Sequence, residues 1–198
     1  MKIRIAFIGL LLILSSLSQA AETPLWQNVI DGKSIIIMRH ALAPGTGDPE
    51  NFELRQCSTQ RNLSDKGRQQ ARQIGANFKK HGILNAKIYS SQWCRCLDTA
   101  VEMDLGTAQE LPLLNSFYEN PEAGPEQIKN LKHWLKNQSV IGNDDDTSLQ
   151  PIVLVTHQVV ISALTGVYPA SGDAVIFRVT DSSDHSSIIE VVGSVDAP

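Results

Sequence analysis

Ser34-Ile-Ile-Ile-Met38, followed at once by Arg39-His40, is the stretch that decides the fold. A continuous apolar, β-branched run with no polar residue alternating through it suits a strand buried on both faces. Such strands belong to parallel sheets covered by helices on each side. Pro151-Ile-Val-Leu-Val-Thr156 repeats the pattern, and it too runs into a histidine, His157. Two core strands thus deliver imidazoles from their carboxyl ends.

Outward from the first strand, a segment rich in Gly, Pro and Asn from Ala43 to Asn62 reads as a long loop. Ser64 then caps a predicted helix with Ala71, Ile74, Gly75 and Phe78 on one stripe, stopped at Gly82. Ala86 to Tyr89 is a short strand, Ser90-Ser91 a turn, and Cys94, Leu97, Ala100 and Val101 form another helical stripe. A third strand is expected over Leu111 to Phe117. Pro125 suits the first turn of a helix whose apolar face is Ile128, Leu131, Trp134 and Leu135. Asn143-Asp-Asp-Asp146 reads as a solvated loop. After His157 a helix is expected from about Val159 to Leu164, ended by Gly166. Ala174 to Val179 and Ser187 to Val192 read as two more strands around the turn Asp181-Ser-Ser-Asp184, the last of them antiparallel at an edge. Strands alternating with helices predict an α/β fold, a three-layer α/β/α sandwich with a mostly parallel central sheet.

Lys2 and Arg4 precede an apolar run from Ile5 to Leu14, too short to span a bilayer comfortably. Ser18 and Ala20 then stand at small-residue positions, so residues 1–20 read as a signal peptide cleaved after Ala20. Residues 21–198 are expected to form a single domain, located in the periplasm or secreted, with no membrane span after cleavage. Without Lys2 and Arg4, two of the 17 basic residues, the 21 acidic residues give a mature net charge of about −6. No basic tract is available to follow a nucleic-acid backbone, so nucleic acid is excluded as a partner. Cys57, Cys94 and Cys96 suggest one disulfide and one leftover thiol in an oxidising compartment. Cys94 and Cys96 diverge on a helix, which leaves Cys57 bonded to one or the other. The cysteines have no histidine beside them, and no metal site is expected.

In an open α/β sheet, ligands bind beyond the carboxyl ends of the strands. Arg39 and His40, then Ser90 to Arg95, then His157 are all delivered to that edge. Two imidazoles and two guanidiniums in one pocket call for an anionic substrate, and forked Arg donors match phosphate oxygens bidentately. A helix N-terminus near Arg95 adds backbone N–H groups. A neutral histidine whose other ring nitrogen is hydrogen-bonded is a competent nucleophile at phosphorus. His81 at a helix end, His133 between Lys132 and Trp134, and His185 in a polar turn read as structural or solvated. Trp93, Phe117 and Tyr118 are read first as packing residues beside strand ends.

Arg39-His40-Ala41 resembles the Arg-His-Gly signature of the histidine phosphatase, or phosphoglycerate mutase-like, superfamily. Leu63-Ser64 with Gly67 and Gln70-Ala71 resembles the start of its intervening helix, Ser90-Ser91 with Arg95 and Thr99-Ala100 its second motif, and Thr156-His157 its third. Gln158 after His157, where the acid phosphatase branch has Asp, places the resemblance with branch 1 and its small phosphatases. The resemblance implies a metal-independent phosphomonoester hydrolase without a cofactor. His40 would be the phosphorylated nucleophile, with Arg39, Arg95 and His157 binding the phosphoryl group. Arg61, Asn62 and Ser91 would add donors. Ala41 departs from the usual glycine. The general acid is expected just after the third strand, where Glu119 is the candidate and Glu122 and Asp173 the alternatives. The substrate would be a small phosphomonoester or a phosphorylated envelope glycan. Competing readings are a mutase, a protein-phosphohistidine phosphatase, a metal-dependent hydrolase, and a non-catalytic binder of phosphorylated sugars or envelope glycans.

Overall fold

The computed structural model describes residues 24–140, 150–181 and 187–198. The signal peptide expected over 1–20, the loop at 143–146, His185 and the turn through 182–184 lie outside the described residues. Among the described residues no helix is long and apolar enough to cross a membrane.

The two apolar runs become β1 (Ile35–Arg39) and β4 (Ile152–Thr156), which pair in parallel with Arg39 opposite Thr156. β2 (Lys87–Ser90) pairs in parallel on the other side of β4, and β3 (Ala108–Glu110) beyond it. β5 (Ala174–Asp181) runs antiparallel to β1, and β6 (Ser187–Val195) antiparallel to β5. The sheet order is β3-β2-β4-β1-β5-β6. Among the described residues the only strand reversed against the rest is therefore β5, an interior one, while β6 at the edge pairs antiparallel as expected.

The run in β1 is apolar throughout because both faces of the sheet are covered. Ile36 and Met38 face a core shared with Ile88, Val153, Val155 and Ile176. That core is closed by three helices: α1 (residues 24–30), α2 (Asp65–Lys80) and α3 (Cys94–Met103). Ile35 and Ile37 face the other way, onto α4 (Gly124–Val140) and α5 (Gln158–Thr165). Period-2 alternation thus splits one hydrophobic stretch between two cores. Burying each of these side chains contributes roughly 1.5–3 kcal/mol.

One expectation is corrected. The third strand lies earlier than Leu111 to Phe117, and residues 112–114 form a 3-10 turn instead. Leu111 N–H still reaches Ser90 C=O, but Pro112 has no N–H with which to continue the ladder. The lead-in before β1 is helical, because Trp26 and Val29 are buried beneath α2. Trp26 meets Phe78 edge-on at 5.4 Å and stacks on His81 at 4.4 Å, which gives His81 its structural role.

Local signals set the α2 end that abuts β1. Ser64 Oγ accepts from Gly67 N–H, a standard N-cap bond. A Cβ on Gly67 would lie 2.1 Å from Leu42 C=O, so only glycine lets α2 start this close to the backbone just after His40. Cys57, on the long loop, is joined by a disulfide to Cys94 at the start of α3, and Cys96 is free and buried.

Candidate active site

Because β2, β4 and β1 are neighbours in one parallel ladder, their carboxyl ends finish at one edge. The ladder continues one residue past the strands. His40 N–H donates to Thr156 C=O at 2.9 Å, and Ser91 N–H donates to Val155 C=O at 2.9 Å. His40, Ser91 and His157 are thereby fixed by backbone, and the ring centroids of His40 and His157 come within 5.6 Å at an interplanar angle of 69°. Arg95 joins them from the first turn of α3.

His40 is buried, with Nδ1 at 2.7 Å from Ala41 C=O. A carbonyl can only accept, so Nδ1 carries the proton and Nε2 the lone pair. Burial, with Arg95, Arg61 and Arg39 adding repulsion, pushes the His40 pKa down to about 3. The ring is therefore neutral and nucleophilic across the physiological range. Ala41 N–H in turn donates to Thr99 Oγ1, which is anchored on Arg95 C=O.

The tautomer of His157 follows from its neighbours. Gln92 N–H donates to Asn115 Oδ1 at 2.9 Å, which fixes that atom as an acceptor, and Asn115 Nδ2 donates to Gln92 Oε1. The Ser91 hydroxyl must then donate to Asn115 Oδ1, at 3.2 Å, and its oxygen accepts from His157 Nε2–H at 2.8 Å. Nδ1 is left as the acceptor, 3.5 Å from Arg95 Nη2. Burial first, then Arg95, lowers the His157 pKa well below its usual value. Cys96 Sγ lies 3.5 Å from His157 Nε2 and donates to Thr156 C=O, and burial pushes the thiol pKa up to about 12. It is an inert packing group.

Three guanidiniums surround the imidazoles. Arg95 is held in a fork by Asp48, Nη1 to Oδ1 at 2.7 Å and Nη2 to Oδ2 at 3.1 Å. Asp48 also accepts from Arg61 N–H and from Trp93 Nε1–H. Burial raises the Asp48 pKa, but these partners outweigh it and hold it below the usual carboxylate range. Arg61 bonds to Gly47 and Ala43 carbonyls, and Arg39 donates Nη1 to Pro169 C=O at 3.2 Å. The Nε atoms of Arg39 and Arg95 are buried without a partner. Buried donors of this kind are costly unless an acceptor arrives.

These side chains open onto one cavity of about 650 Å³, far larger than a phosphate group. Arg39, His40, Arg61, Arg95 and His157 all line it, and so does Glu119. Two sequence-predicted donors do not. Ser91 is fully buried behind His157, so it orients that ring rather than touching a ligand. Asn62 donates its Nδ2 to the Cys57 and Gln60 carbonyls and shapes the loop. Of the alternatives to Glu119, Asp173 ties Ala170 and Ala197 N–H groups together and, like Glu122, lies off the cavity. The residues that sequence reasoning missed are Asp48, Glu50 and Phe52 on the long loop. Their sole signal was the turn chemistry of Gly45-Thr46-Gly47-Asp48-Pro49. Trp93 and Tyr118 line the cavity as well, and Trp93 stacks on Phe52 at 5.0 Å.

Comparison with known proteins agrees with this geometry. Residues 35–120 match the model of the histidine phosphatase superfamily, branch 1. No curated protein matches the chain. Solved structures with the same fold include a mycobacterial hydrolase, at 15% identity and a TM-score of 0.58, covering 84% of this chain and 99% of that one. The protein histidine phosphatase SixA, complexed with tungstate, has 15% identity and a TM-score of 0.58, with 82% and 96% covered. A mycobacterial glucosyl-3-phosphoglycerate phosphatase complexed with VO3 has 15% identity and a TM-score of 0.60, with 84% and 100% covered.

Proposed function

We propose that the chain, whose residues 35–120 match the branch 1 histidine phosphatase model, is a member of that branch and hydrolyses phosphomonoesters outside the cytoplasm, without a metal, through a phosphohistidine on His40. The observation that carries this reading is the meeting of a neutral, Nδ1-protonated His40 with the guanidinium-bearing Arg39, Arg61 and Arg95 around one cavity. A phosphate dianion supplies acceptors for those guanidiniums, and its phosphorus is the electrophile that the Nε2 lone pair needs.

In the first step the Nε2 lone pair forms the N–P bond as the bond from phosphorus to the ester oxygen breaks. The leaving oxygen takes its proton from Glu119. Arg39 and Arg95 stabilise charge on the transferring phosphoryl group, chiefly by being in place beforehand, and His157 acts through Arg95, whose Nη2 lies 3.5 Å from its Nδ1. In the second step water attacks phosphorus, its proton passes to Glu119, and the N–P bond breaks to release inorganic phosphate and free His40. Export is supported by the charged and apolar pattern of residues 2–14 and by the Cys57–Cys94 disulfide, a bond that persists in oxidising compartments. A mature N-terminus at Ala21, read by mass spectrometry, is the expected result, and an intact Met1 overturns it.

The experiment is phosphate release from generic phosphomonoesters by the purified chain in EDTA, beside His40→Ala. Turnover that survives chelation, drops by on the order of 10⁴-fold or more in His40→Ala, and leaves an acid-labile phosphoenzyme on quenching is expected. Stoichiometric uptake of phosphate esters with no release would instead make the chain a binder of phosphorylated sugars or envelope glycans. Loss of turnover in EDTA would overturn metal independence.

A further inference from the structure

The distribution of charge in the cavity bears on what the leaving group can be. Among the described residues that line it, the cations are Arg39, Arg61 and Arg95, and all three bear on the His40 and His157 rings. Asp48, bonded to Arg95 in a fork, offsets one of them. The base of the cavity thus has a surplus of two positive charges, which matches a single phosphate dianion and leaves nothing for a second anion.

The rest of the wall has the opposite character. Glu50 and Glu119 line it, exposed, and neither is in an ion pair among the described residues. Apolar, flat groups line the same cavity. Trp93 is held edge-on to the His157 ring at 5.3 Å and is stacked on Phe52, and Tyr118 lies at the exposed rim. Trp93 is also tethered through Nε1–H to Asp48 Oδ2 at 3.0 Å, so the flat wall and the phosphate end are parts of one bonded unit. Aromatic faces receive the C–H faces or planes of rings, and neighbouring carboxylates accept from hydroxyl groups.

Building on the phosphatase reading, we propose that the site selects monophosphates whose leaving group is an uncharged, hydroxyl-bearing ring. Esters that carry a second phosphate or a carboxylate on the leaving group meet Glu50 with no cation to offset it. Hexose monophosphates and nucleoside monophosphates share the favoured chemistry and differ in the ring presented to the aromatic wall.

The test uses the full mature chain with p-nitrophenyl phosphate as reference and four further esters: glucose 6-phosphate, AMP, 3-phosphoglycerate and fructose 1,6-bisphosphate. Expected is a kcat/KM for glucose 6-phosphate or AMP at least about tenfold above both 3-phosphoglycerate and the bisphosphate, an order-of-magnitude figure for like charges a few ångströms apart. Glu50→Lys should narrow that gap several-fold, and so should raising the ionic strength. Whichever of glucose 6-phosphate and AMP leads identifies the ring. Equal or better turnover of the charged esters, or a gap that Glu50→Lys leaves unmoved, overturns the proposal, as does turnover of p-nitrophenyl phosphate alone. In those cases the phosphatase reading still stands. Turnover of none of the five esters sinks both.

Discussion

The two ends of the cavity are built by different means. At the base, His40 and His157 are one residue beyond adjacent parallel strands, and Arg95 is in the first turn of the helix after a third. Sheet register and helix start position these groups, and the backbone bonds from His40 to Thr156 and from Ser91 to Val155 leave them no freedom. At the mouth, Asp48, Glu50 and Phe52 come from a loop with a single 3-10 turn, held by side-chain bonds and by the Cys57–Cys94 disulfide. Regular structure fixes where chemistry happens, and the loop fixes what can reach it.

After His40→Ala, the largest expected effect breaks the base. Arg95→Ala should lower kcat/KM by about 10²–10³-fold, the usual loss for a preorganised donor to the transition state. A loss below tenfold, in steady-state kinetics on p-nitrophenyl phosphate, would mean that Arg61 and Arg39 suffice and that the base is not the rigid unit described here.

Asp48→Ala attacks the link between the two ends. Arg95 and Asp48 are 3% and 10% exposed, so removing the carboxylate leaves a buried cation alone. The expected cost is about 3 kcal/mol of stability, read from denaturant unfolding. Inorganic phosphate should raise the melting temperature more in the variant than in the wild type, because it then supplies the only anion for Arg95. Equal phosphate effects in both proteins would show that Asp48 and phosphate do not share that guanidinium.

How much of this was legible in the sequence tracks the same division. Ile35–Met38 and Ile152–Val155 identify themselves, because only a strand covered on both sides tolerates so apolar a run, and the residues that follow such strands are placed by topology alone. Asp48 could not be read in this way. Its contact with Arg95 spans 47 residues of sequence and depends on how an irregular loop closes, for which no periodicity exists. Ser91 was legible in position but not in role. Its location after β2 was readable, whereas its burial behind His157 depends on Asn115, which arrives from beyond a 3-10 turn that replaced the expected strand.

A smaller effect concerns acid. Unfolded histidine takes up a proton below about pH 6.5, whereas folded His40 stays neutral down to about 3, so protons favour the unfolded chain. The stability is fully present above the unfolded value and is lost progressively as pH falls toward 3. At pH 4.5 His40 accounts for about 3 kcal/mol of that loss. His157 acts in the same direction, and so does Asp48, whose lowered pKa makes its contribution vanish on protonation. His40→Gln should flatten the acid limb of unfolding free energy against pH. An unchanged slope would mean that the imidazole is hydrated in the folded protein.

The smallest effect, and the sharpest on mechanism, falls on Asn115. Its Oδ1 accepts the Ser91 proton, which obliges Ser91 to accept from His157 Nε2–H and leaves Nδ1 beside Arg95. Asn115→Leu removes the terminal acceptor, so the Ser91 hydroxyl is free to donate to His157 and the other tautomer becomes accessible. About a tenfold loss in kcat/KM is expected, equal to about 1.4 kcal/mol. Asn115→Asp keeps an acceptor and adds a negative charge two bonds away through Ser91, which stabilises protonated His157. The limb of the pH–rate profile that His157 governs should then move to higher pH while most of the rate returns. A purely structural Asn115 would lower the rate in both variants and move neither limb, so the two profiles together separate tautomer control from packing.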